Sequence, residues 1–385
     1  MKAATFEFLR QRFSSYYEKA LLTVPPSVPQ REWAFVFFDP SSPDTRMRRH
    51  LGFETKEEVF SYIRSLVPAH VYYSTAYYAR PGAPTMQEKE WLGADLIFDL
   101  DADHLMRGPY DRMLSRVKEE TLKLIEMLTE ELGFPEREIE VVFSGGRGYH
   151  IHVRDPRVRD FGSNERREII DYVCGIGLDP GRVLSHQTHS PRGWHYRYID
   201  ALAEYLLWLE SLEEKERIAI LTSMEGVGKT TAEEFNRRLP TLLSLLSTDP
   251  GRISLRDAVL SRVIRGLMGD REGKFPALLR ERAALADEPV TTDTKRLIRM
   301  PTSLHGGSGF RVTPLSPGEL ADFDPLVDAV VFGHREVAVD LQVPLAMPLL
   351  GSDFRLEKGQ VRVPEALAVF LCCRGIAEFA GGSKA

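Results

Sequence analysis

The sequence predicts an α/β (α+β) protein in which one sheet domain is split by a helical insertion. Segments rich in β-branched and aromatic residues lie in the first 160 residues and again after residue 285, whereas helical periodicity dominates between about 162 and 285. The chain has 385 residues, enough for two modest domains or for one domain with a large insertion. We therefore expect residues 1–160 to begin the sheet domain, 161–284 to form the helical subdomain, and 285–380 to complete the sheet domain.

Composition excludes several classes of protein. The formal net charge is −6 and 28% of residues are charged, so the overall composition gives no indication of nucleic-acid binding. A nucleic-acid enzyme with this charge balance must concentrate its positive charge in one region. Three cysteines without a C-x-x-C pair predict neither a disulfide framework nor a zinc knuckle. No signal peptide and no apolar run of membrane-spanning length is apparent. We expect an intracellular protein of the cytoplasm or nucleoid.

The first third of the chain alternates helices and strands. An amphipathic helix is predicted over about 5–22, and the prolines of TVPPSVPQ end it. REWAFVFF is typical of a strand, residues 56–66 return to helical periodicity, and VYYSTAYY (71–78) is predicted to be one strand.

Later segments continue the pattern. DLIFDLDAD (95–103) is an apolar strand that ends in carboxylates, and a charged helix is predicted over about 110–132. Residues 138–155 are predicted to form a hairpin with a glycine-rich basic tip, and residues 289–314 return to β character. VDAVVFG and GQVRVP are predicted to add strands near the C-terminus.

Asp99 and Asp101 form the first candidate site. Residues i and i+2 of a strand point to the same face, so the two carboxylates lie side by side. Such a pair stays ionised at low cost when a cation lies between its members, and oxygen ligands suit Mg²⁺ or Mn²⁺. An Asp-rich turn at the end of a strand would give the same D-x-D pattern.

The glycine-rich segment SGGRGYH (144–150) is the second candidate site. Backbone N–H groups, the Ser144 hydroxyl, Arg147 and His150 together are typical of a phosphate-binding turn. His152 is expected to share a strand face with His150. A plain hairpin with a hydrogen-bonded histidine is the structural alternative.

The segment 287–312 is the third candidate site. It combines two aspartates with Lys295, Arg296, Arg299 and His305 around a glycine turn, so it can supply a third metal carboxylate and further phosphate contacts. On an extended segment, Arg299 is expected to share a face with Leu297. A surface hairpin with solvated charges is the structural alternative.

SMEGVGKTT (223–231) is similar to a P-loop but departs from that motif. The motif requires glycine five positions before Gly228, where this chain has Ser223. We expect a turn here, with Thr230 or Thr231 capping a helix that begins near Ala232.

Taken together and in order, FDLDAD, SGGRGYHIHV and TKRLIRMPTSLHGGSGFRV resemble the small catalytic subunit of archaeal and eukaryotic DNA primase. REWAFVFF and RRHLGF also resemble an upstream block of that family. The resemblance implies a primase-type mixed β-sheet core flanked by helices, and a nucleotidyltransferase that makes short primers de novo on DNA from nucleoside triphosphates.

The resemblance also implies roles for individual residues. Asp99 and Asp101 match the metal-binding pair, and the third metal carboxylate is expected at Asp287, with Asp293 as the alternative. The expected nucleotide-binding residues are Ser144, Arg147, His150, Arg299, His305 and Arg49.

The implied cofactors are two Mg²⁺ or Mn²⁺ ions. No structural zinc is expected, because the stretch after the D-x-D motif has His104 and no cysteine. Gly146 and Gly307 stand where relatives often have Arg and Lys, which removes positive charge near the phosphates.

The implied partners are a single-stranded DNA template, nucleoside triphosphates and a large primase subunit, with no membrane. Three alternatives remain at this point: a repair or translesion polymerase of the same superfamily that extends primers, a non-catalytic nucleic-acid-binding subunit, and a P-loop ATPase.

Overall fold

The computed structural model describes residues 1–38, 47–184, 192–248, 257–270 and 272–381. The chain divides into two compact units, which we call the β-rich unit (1–122, 134–168 and 286–385) and the helical unit (123–133 and 169–285). Helices and antiparallel strands both occur throughout the β-rich unit, so the predicted α+β class is confirmed.

All of the named strands lie in the β-rich unit. Their bounds are β1 Trp33–Val36, β2 Met47–Leu51, β3 His70–Ser74, β4 Ala76–Tyr78, β5 Trp91–Ala94, β6 Leu96–Asp101, β7 Ile139–Phe143, β8 Gly148–Val153, β9 Leu297–Arg299, β10 Thr313–Leu315, β11 Glu336–Leu341, β12 Leu345–Leu349, β13 Ser352–Leu356, β14 Gly359–Pro364 and β15 Ala377–Gly381.

Helices occur in both units, and α4 and α5 include residues of each. Their bounds are α1 Ala3–Lys19, α2 Lys56–Leu66, α3 Ala102–Leu105, α4 Tyr110–Glu126, α5 Ser163–Cys174, α6 Pro180–Val183, α7 Gly193–Glu210, α8 Glu214–Ser223, α9 Lys229–Thr248, α10 Ala258–Gly269, α11 Lys274–Arg282, α12 Glu288–Thr292, α13 Pro325–Asp328 and α14 Glu365–Cys373.

Two four-stranded antiparallel sheets organise the β-rich unit. One has the order β2-β1-β3-β9 and the other the order β10-β7-β8-β6. Each sheet therefore combines three strands that precede residue 169 with one strand that follows residue 285. This pairing brings the third candidate segment into the same unit as the first two.

The segment VYYSTAYY forms two strands rather than the single strand predicted. Its backbone changes sheet at Thr75, whose N–H donates to the Arg296 carbonyl (2.8 Å) and whose carbonyl accepts from the Asp95 N–H (3.0 Å). The Arg31 guanidinium also donates to the carbonyls of Ser74 and Thr75. These long-range contacts outweigh the uniform β propensity of the segment.

The segment VDAVVFG is not a strand, so this prediction was wrong. Asp324 accepts a hydrogen bond from the Leu326 N–H (2.9 Å), and Pro325 occupies the first helical position of α13. An N-cap followed by proline favours a helical turn at this point. GQVRVP, in contrast, forms β14 as predicted.

The segment 289–314 is less β-rich than predicted. It begins in the short helix α12, contributes the three-residue strand β9, and then continues through turns to β10. Leu297 and Arg299 are both partly exposed while Ile298 is buried, which confirms that Arg299 shares a face with Leu297.

The helical unit has its own apolar core. Leucine, isoleucine, valine and aromatic side chains of α7, α8, α9, α10 and α11 pack together, with Leu202, Leu206 and Phe235 fully buried. Burial of these side chains is the main favourable contribution to the stability of a helical cluster of this kind.

Candidate active site

The Asp99–Asp101 pair lies where β6 meets β8. Asp99 is opposite His150 and Asp101 is opposite Gly148 in the antiparallel register. Phe98 and Leu100 are fully buried, whereas both aspartates are partly exposed, as the alternation of a strand requires. The two carboxylates therefore share one accessible face.

Each carboxylate of the pair has a described neighbour. An Asp99 oxygen lies 3.6 Å from His150 Nε2. The Asp101 carboxylate accepts a hydrogen bond from the Asp103 N–H (2.9 Å) and so caps the short helix α3. Capping fixes the Asp101 side chain at the end of the strand.

The glycine-rich turn joins β7 to β8 beside this pair. Gly145 has a left-handed φ of 74°, and the Gly146 N–H donates to the Ser144 hydroxyl (3.2 Å). At Gly148 a Cβ atom would lie 2.1 Å from the Leu100 carbonyl oxygen, so only glycine allows β8 to approach β6 this closely. Gly145 is thus required by the backbone conformation of the turn, and Gly148 by the close approach of β8 to β6.

Arg147 projects from the turn toward Asp103. Its guanidinium forms an ion pair with Asp103, and its carbonyl accepts from the Ala102 N–H (3.1 Å). About a third of the Arg147 side chain is exposed (33%), so it remains accessible from solvent.

His150 and His152 share a strand face but have different surroundings. Burial, followed by the charges of Arg299 and Arg296, lowers the pKa of His150 to about 3, so its imidazole is neutral. His152 is fully buried against Tyr73, whose hydroxyl lies 3.4 Å from its Nδ1. Of the two histidines, His150 is the one that meets the aspartate pair.

The third segment places Arg299 near the same aspartates. The Arg299 guanidinium contacts His70 Nδ1 (2.6 Å) and the Tyr72 hydroxyl (2.9 Å), both on the adjacent strand β3. Burial lowers the pKa of Arg299, and the charges of Tyr72, Asp99 and Asp101 oppose that shift. Arg299 is therefore within electrostatic range of both carboxylates.

His305 packs directly on the glycine-rich turn. A Cβ atom on Gly145 would lie 2.7 Å from the His305 Cβ, and one on Gly146 would lie 3.1 Å from its Nε2. Ser308 reinforces this contact, because its hydroxyl donates to the Gly145 carbonyl. The second and third candidate segments thus meet through backbone and side-chain contacts.

The two candidates for the third metal carboxylate have different neighbours. The Asp287 N–H donates to the Asp99 carbonyl (2.8 Å), so Asp287 lies beside β6. The Asp293 carboxylate accepts from the Lys295 N–H (2.8 Å), and its charge acts on Tyr78. Within the described residues, no group of three or more Asp, Glu, His or Cys side chains is arranged to hold a metal ion.

Arg49 lies on β2, and its described contacts are with Glu32. Arg49 Nε is 3.1 Å from a Glu32 oxygen, and the buried Glu32 carboxylate is also 3.6 Å from Lys89 Nζ. These contacts account for the position of Arg49 without involving the aspartate pair.

Sequence reasoning missed three residues that support the site. His70 and Tyr72 hold Arg299, and the Tyr110 hydroxyl donates to the Gly146 carbonyl. The i, i+2 spacing of His70 and Tyr72 on a strand could have indicated a shared face, but not the partner of that face.

The P-loop-like segment of the helical unit lacks the surroundings that a P-loop requires. The residues before it form helix α8 rather than a strand, and α9 begins at Lys229, earlier than the predicted Ala232. Lys229 is 80% exposed and lies 3.9 Å from Glu233. A lysine in a phosphate-binding loop would instead follow a strand and face the loop.

Comparison with known proteins identifies relatives along the whole chain. Residues 98–317 match the family model for DNA primase small subunit. The chain is 60% identical over 380 residues to a protein named DNA primase small subunit PriS from Methanoregula boonei, covering 99% of this chain and 100% of that protein. Proteins of the same name from Methanospirillum hungatei and Methanosphaerula palustris are 53% and 52% identical, each over 99% of this chain and over 98% and 100% of their own lengths.

None of the helices in the described residues is long and apolar enough to cross a membrane.

Proposed function

Because the chain belongs to the DNA primase small-subunit family, we propose that it synthesises short primers de novo on a single-stranded DNA template from nucleoside triphosphates. The reaction is a nucleotidyl transfer, in which a 3′-hydroxyl attacks the α-phosphorus of the incoming nucleotide and pyrophosphate leaves. The observation that carries this proposal is the meeting of an aspartate pair, a glycine-rich turn and a partly buried arginine from three distant segments.

The donor set at the end of β6 fits a hard divalent cation. Asp99 and Asp101 offer carboxylate oxygens on one partly exposed face, and oxygen ligands are those that Mg²⁺ and Mn²⁺ prefer. We assign Asp287 as the third ligand, because its backbone is hydrogen-bonded to Asp99 while the contacts of Asp293 lie with Lys295. When bound, two such ions would activate the attacking hydroxyl and stabilise the leaving pyrophosphate.

We assign the triphosphate to the glycine-rich turn and its neighbours. Backbone N–H groups and the Ser144 hydroxyl can donate hydrogen bonds to phosphate oxygens, and Arg147 can form a bidentate contact. The neutral His150 and His305 can each donate one hydrogen bond without adding a buried charge.

Arg299 is positioned by its neighbours before the triphosphate binds. His70 and Tyr72 fix its guanidinium, so little side-chain freedom remains to be lost when a nucleotide binds. Its charge partly balances those of Asp99 and Asp101 before any cation is present. We also retain Arg49 as a nucleotide contact on the basis of family resemblance.

The proposed partners follow from this activity. The template would be held mainly through its phosphate backbone, since a primase must accept many sequences. A large primase subunit is the expected protein partner, because the relatives are named as small subunits.

The proposal is tested by synthesis on single-stranded DNA with labelled nucleotides and no primer. Asp99→Asn together with Asp101→Asn keeps the side-chain volumes but removes both charges, and we expect at least about a 10³-fold loss of product. Asp160→Asn is the matched control, because Asp160 is an exposed aspartate of the same unit. Full activity in the double variant would contradict the assignment of Asp99 and Asp101 as metal ligands.

The same assay separates the alternatives. A chain that extends an added primer but makes nothing without one is a repair-type polymerase of the superfamily. Metal-dependent binding of a nucleoside triphosphate excludes a purely nucleic-acid-binding role. Loss of activity in Lys229→Ala with retention in Asp101→Asn would move the site to the P-loop-like segment. Single replacement of Asp287 and Asp293 identifies the third ligand.

A further inference from the structure

An arginine near the C-terminal end of the chain lies over the tyrosine that binds the glycine-rich turn. Arg374 immediately follows α14, and its guanidinium carbon lies 5.8 Å from the centre of the Tyr110 ring. Phe370, one helical turn earlier, packs on the same ring with centroids 5.5 Å apart. Residues four apart share a helix face, so Phe370 anchors the end of the helix and directs Arg374 over Tyr110.

Tyr110 connects Arg374 to the turn. Its hydroxyl donates to the Gly146 carbonyl, so only one aromatic ring separates Arg374 from the backbone of the turn. His305 lies against Gly146 and is also within electrostatic range of Arg374. Burial lowers the pKa of His305, and the charges of Arg299, His70 and Arg374 lower it further. Two neighbours of Gly146 thus place Arg374 close to this turn.

Two other arginines of the site already have side-chain partners. Arg147 is paired with Asp103, and Arg299 is held by His70 and Tyr72. Arg374, in contrast, is exposed, and no carboxylate lies within ion-pair distance of it among the residues that the structure describes. It is a solvent-accessible cation stacked on the tyrosine that binds this turn, and the second and third residues of the segment 144–150 are glycine.

We propose that Arg374 is a further phosphate-binding residue of this site and supplies positive charge beside the glycine-rich turn. A guanidinium presents several N–H donors in a planar fork that matches phosphate oxygens, and stacking on Tyr110 orients the fork. The ligand is a phosphate group, either of the nucleoside triphosphate or of the nucleic-acid backbone beside it. The assignment rests on the proposed nucleotidyl-transfer site.

A purely structural role for Arg374 makes a different prediction. A cation at the carboxyl end of α14 interacts favourably with the helix dipole, and the side chain also covers Tyr110. Loss of that role would lower the melting temperature and leave ligand affinity unchanged. Loss of a phosphate contact would weaken ligand binding and leave the melting temperature nearly unchanged.

The test compares Arg374→Gln and Arg374→Lys with wild type in the full chain. Arg355→Gln is the matched control, because Arg355 is an exposed arginine on β13. Two ligands are titrated at equilibrium: a labelled nucleoside triphosphate with Mn²⁺, and a single-stranded oligonucleotide over a range of salt concentrations. Melting temperature is measured for each variant.

We expect Arg374→Gln to weaken binding of one ligand by about 10-fold, with Arg374→Lys in between, since the lysine keeps the charge but loses the fork. Weaker nucleotide binding identifies the triphosphate as the source of the phosphate. Weaker oligonucleotide binding, with a salt slope reduced by about 1, identifies the nucleic-acid backbone. Unchanged affinity for both ligands overturns the inference, whatever happens to the melting temperature.

Failure of this inference and failure of the proposed function are distinguishable. If wild type binds nucleotide but makes no primers, the proposed function fails while the effect of Arg374 on binding remains measurable. If wild type makes primers and Arg374→Gln binds both ligands normally, only the inference fails. A wild-type chain that binds neither ligand overturns both.

Discussion

The two compact units bury different chemistry. Among the residues that the structure describes, the charged residues that are buried lie in the β-rich unit: Arg31, Glu32, Lys89, Asp95, Glu120, Asp155 and Arg166. The core of the helical unit consists of leucine, isoleucine, valine, alanine and aromatic side chains. The helical unit also contains a largely buried ion pair, in which the side chains of Arg197 and Glu131 are 11% and 3% exposed, so the contrast concerns the number of buried charges and not their complete absence.

The unit that buries these charged residues is also the unit that contains the candidate site. Burying a charge costs several kcal/mol of desolvation, so an apolar core of equal volume is often at least as stable. Asp95 shows what the buried charges do instead. It precedes β6, the strand that ends in Asp99 and Asp101, and it binds Arg31 (2.8 Å) and the Tyr77 hydroxyl (2.7 Å). The charged core therefore fixes one end of the strand whose other end carries the aspartates.

Removal of the Asp95 carboxylate should have the largest effect on the stability of the β-rich unit. Asp95→Ala leaves the Arg31 guanidinium fully buried without its counter-ion, so we expect the free energy of unfolding to fall by about 3–5 kcal/mol. Urea unfolding of the full chain measures the change. Asp160→Ala removes an exposed aspartate of the same unit and should change stability by less than about 0.5 kcal/mol. A loss below 1 kcal/mol in Asp95→Ala would mean that Arg31 finds other partners.

The helical unit should respond to loss of volume rather than of charge. Leu206→Ala removes a fully buried side chain of α7, and we expect a loss of about 3 kcal/mol from lost burial and the cavity that remains. Leu207 is the next residue on the same helix and is 57% exposed, so Leu207→Ala should cost less than about 1 kcal/mol. Equal losses in the two variants would show that α7 does not pack in this orientation.

Local sequence patterns predicted the backbone arrangement of the first two candidate segments. An apolar run that ends in Asp-x-Asp predicts a strand with two carboxylates on one face, and β6 has this arrangement. The glycine-rich turn was equally visible, since Gly145 and Gly148 are required by the backbone itself. Neither prediction needed knowledge of which strands pair.

The contacts that join these parts could not be predicted, because they link residues far apart in sequence. Arg299 and Tyr72 are 227 positions apart, and nothing in either segment indicates that β3 and β9 are neighbours. The break of VYYSTAYY at Thr75 has the same cause, since a carbonyl of Arg296 binds its N–H group. Arg374 belongs to this class too, because only the packing of α14 on Tyr110 brings it to the turn.

The smallest expected effect on stability concerns a buried histidine of the β-rich unit. His152 is fully buried in the charged core, and burial, followed by the charges of Arg154, His150 and Arg31, lowers its pKa well below 6.5. The imidazole is therefore neutral when the chain is folded and accepts a proton near pH 6.5 when it is unfolded.

Stability should therefore be lost as the pH falls below about 6.5, because the unfolded chain then binds a proton that the folded chain does not. For a single histidine the expected slope is about 1.4 kcal/mol per pH unit. His152→Gln removes the titrating group while keeping a hydrogen-bonding side chain for the Tyr73 hydroxyl, so we expect it to flatten the profile between pH 6 and about 4 by that amount. His334→Gln, at an exposed histidine of the same unit, should leave the profile unchanged. Urea unfolding at a series of pH values measures both variants, and parallel profiles for wild type and His152→Gln would show that His152 can be protonated in the folded chain.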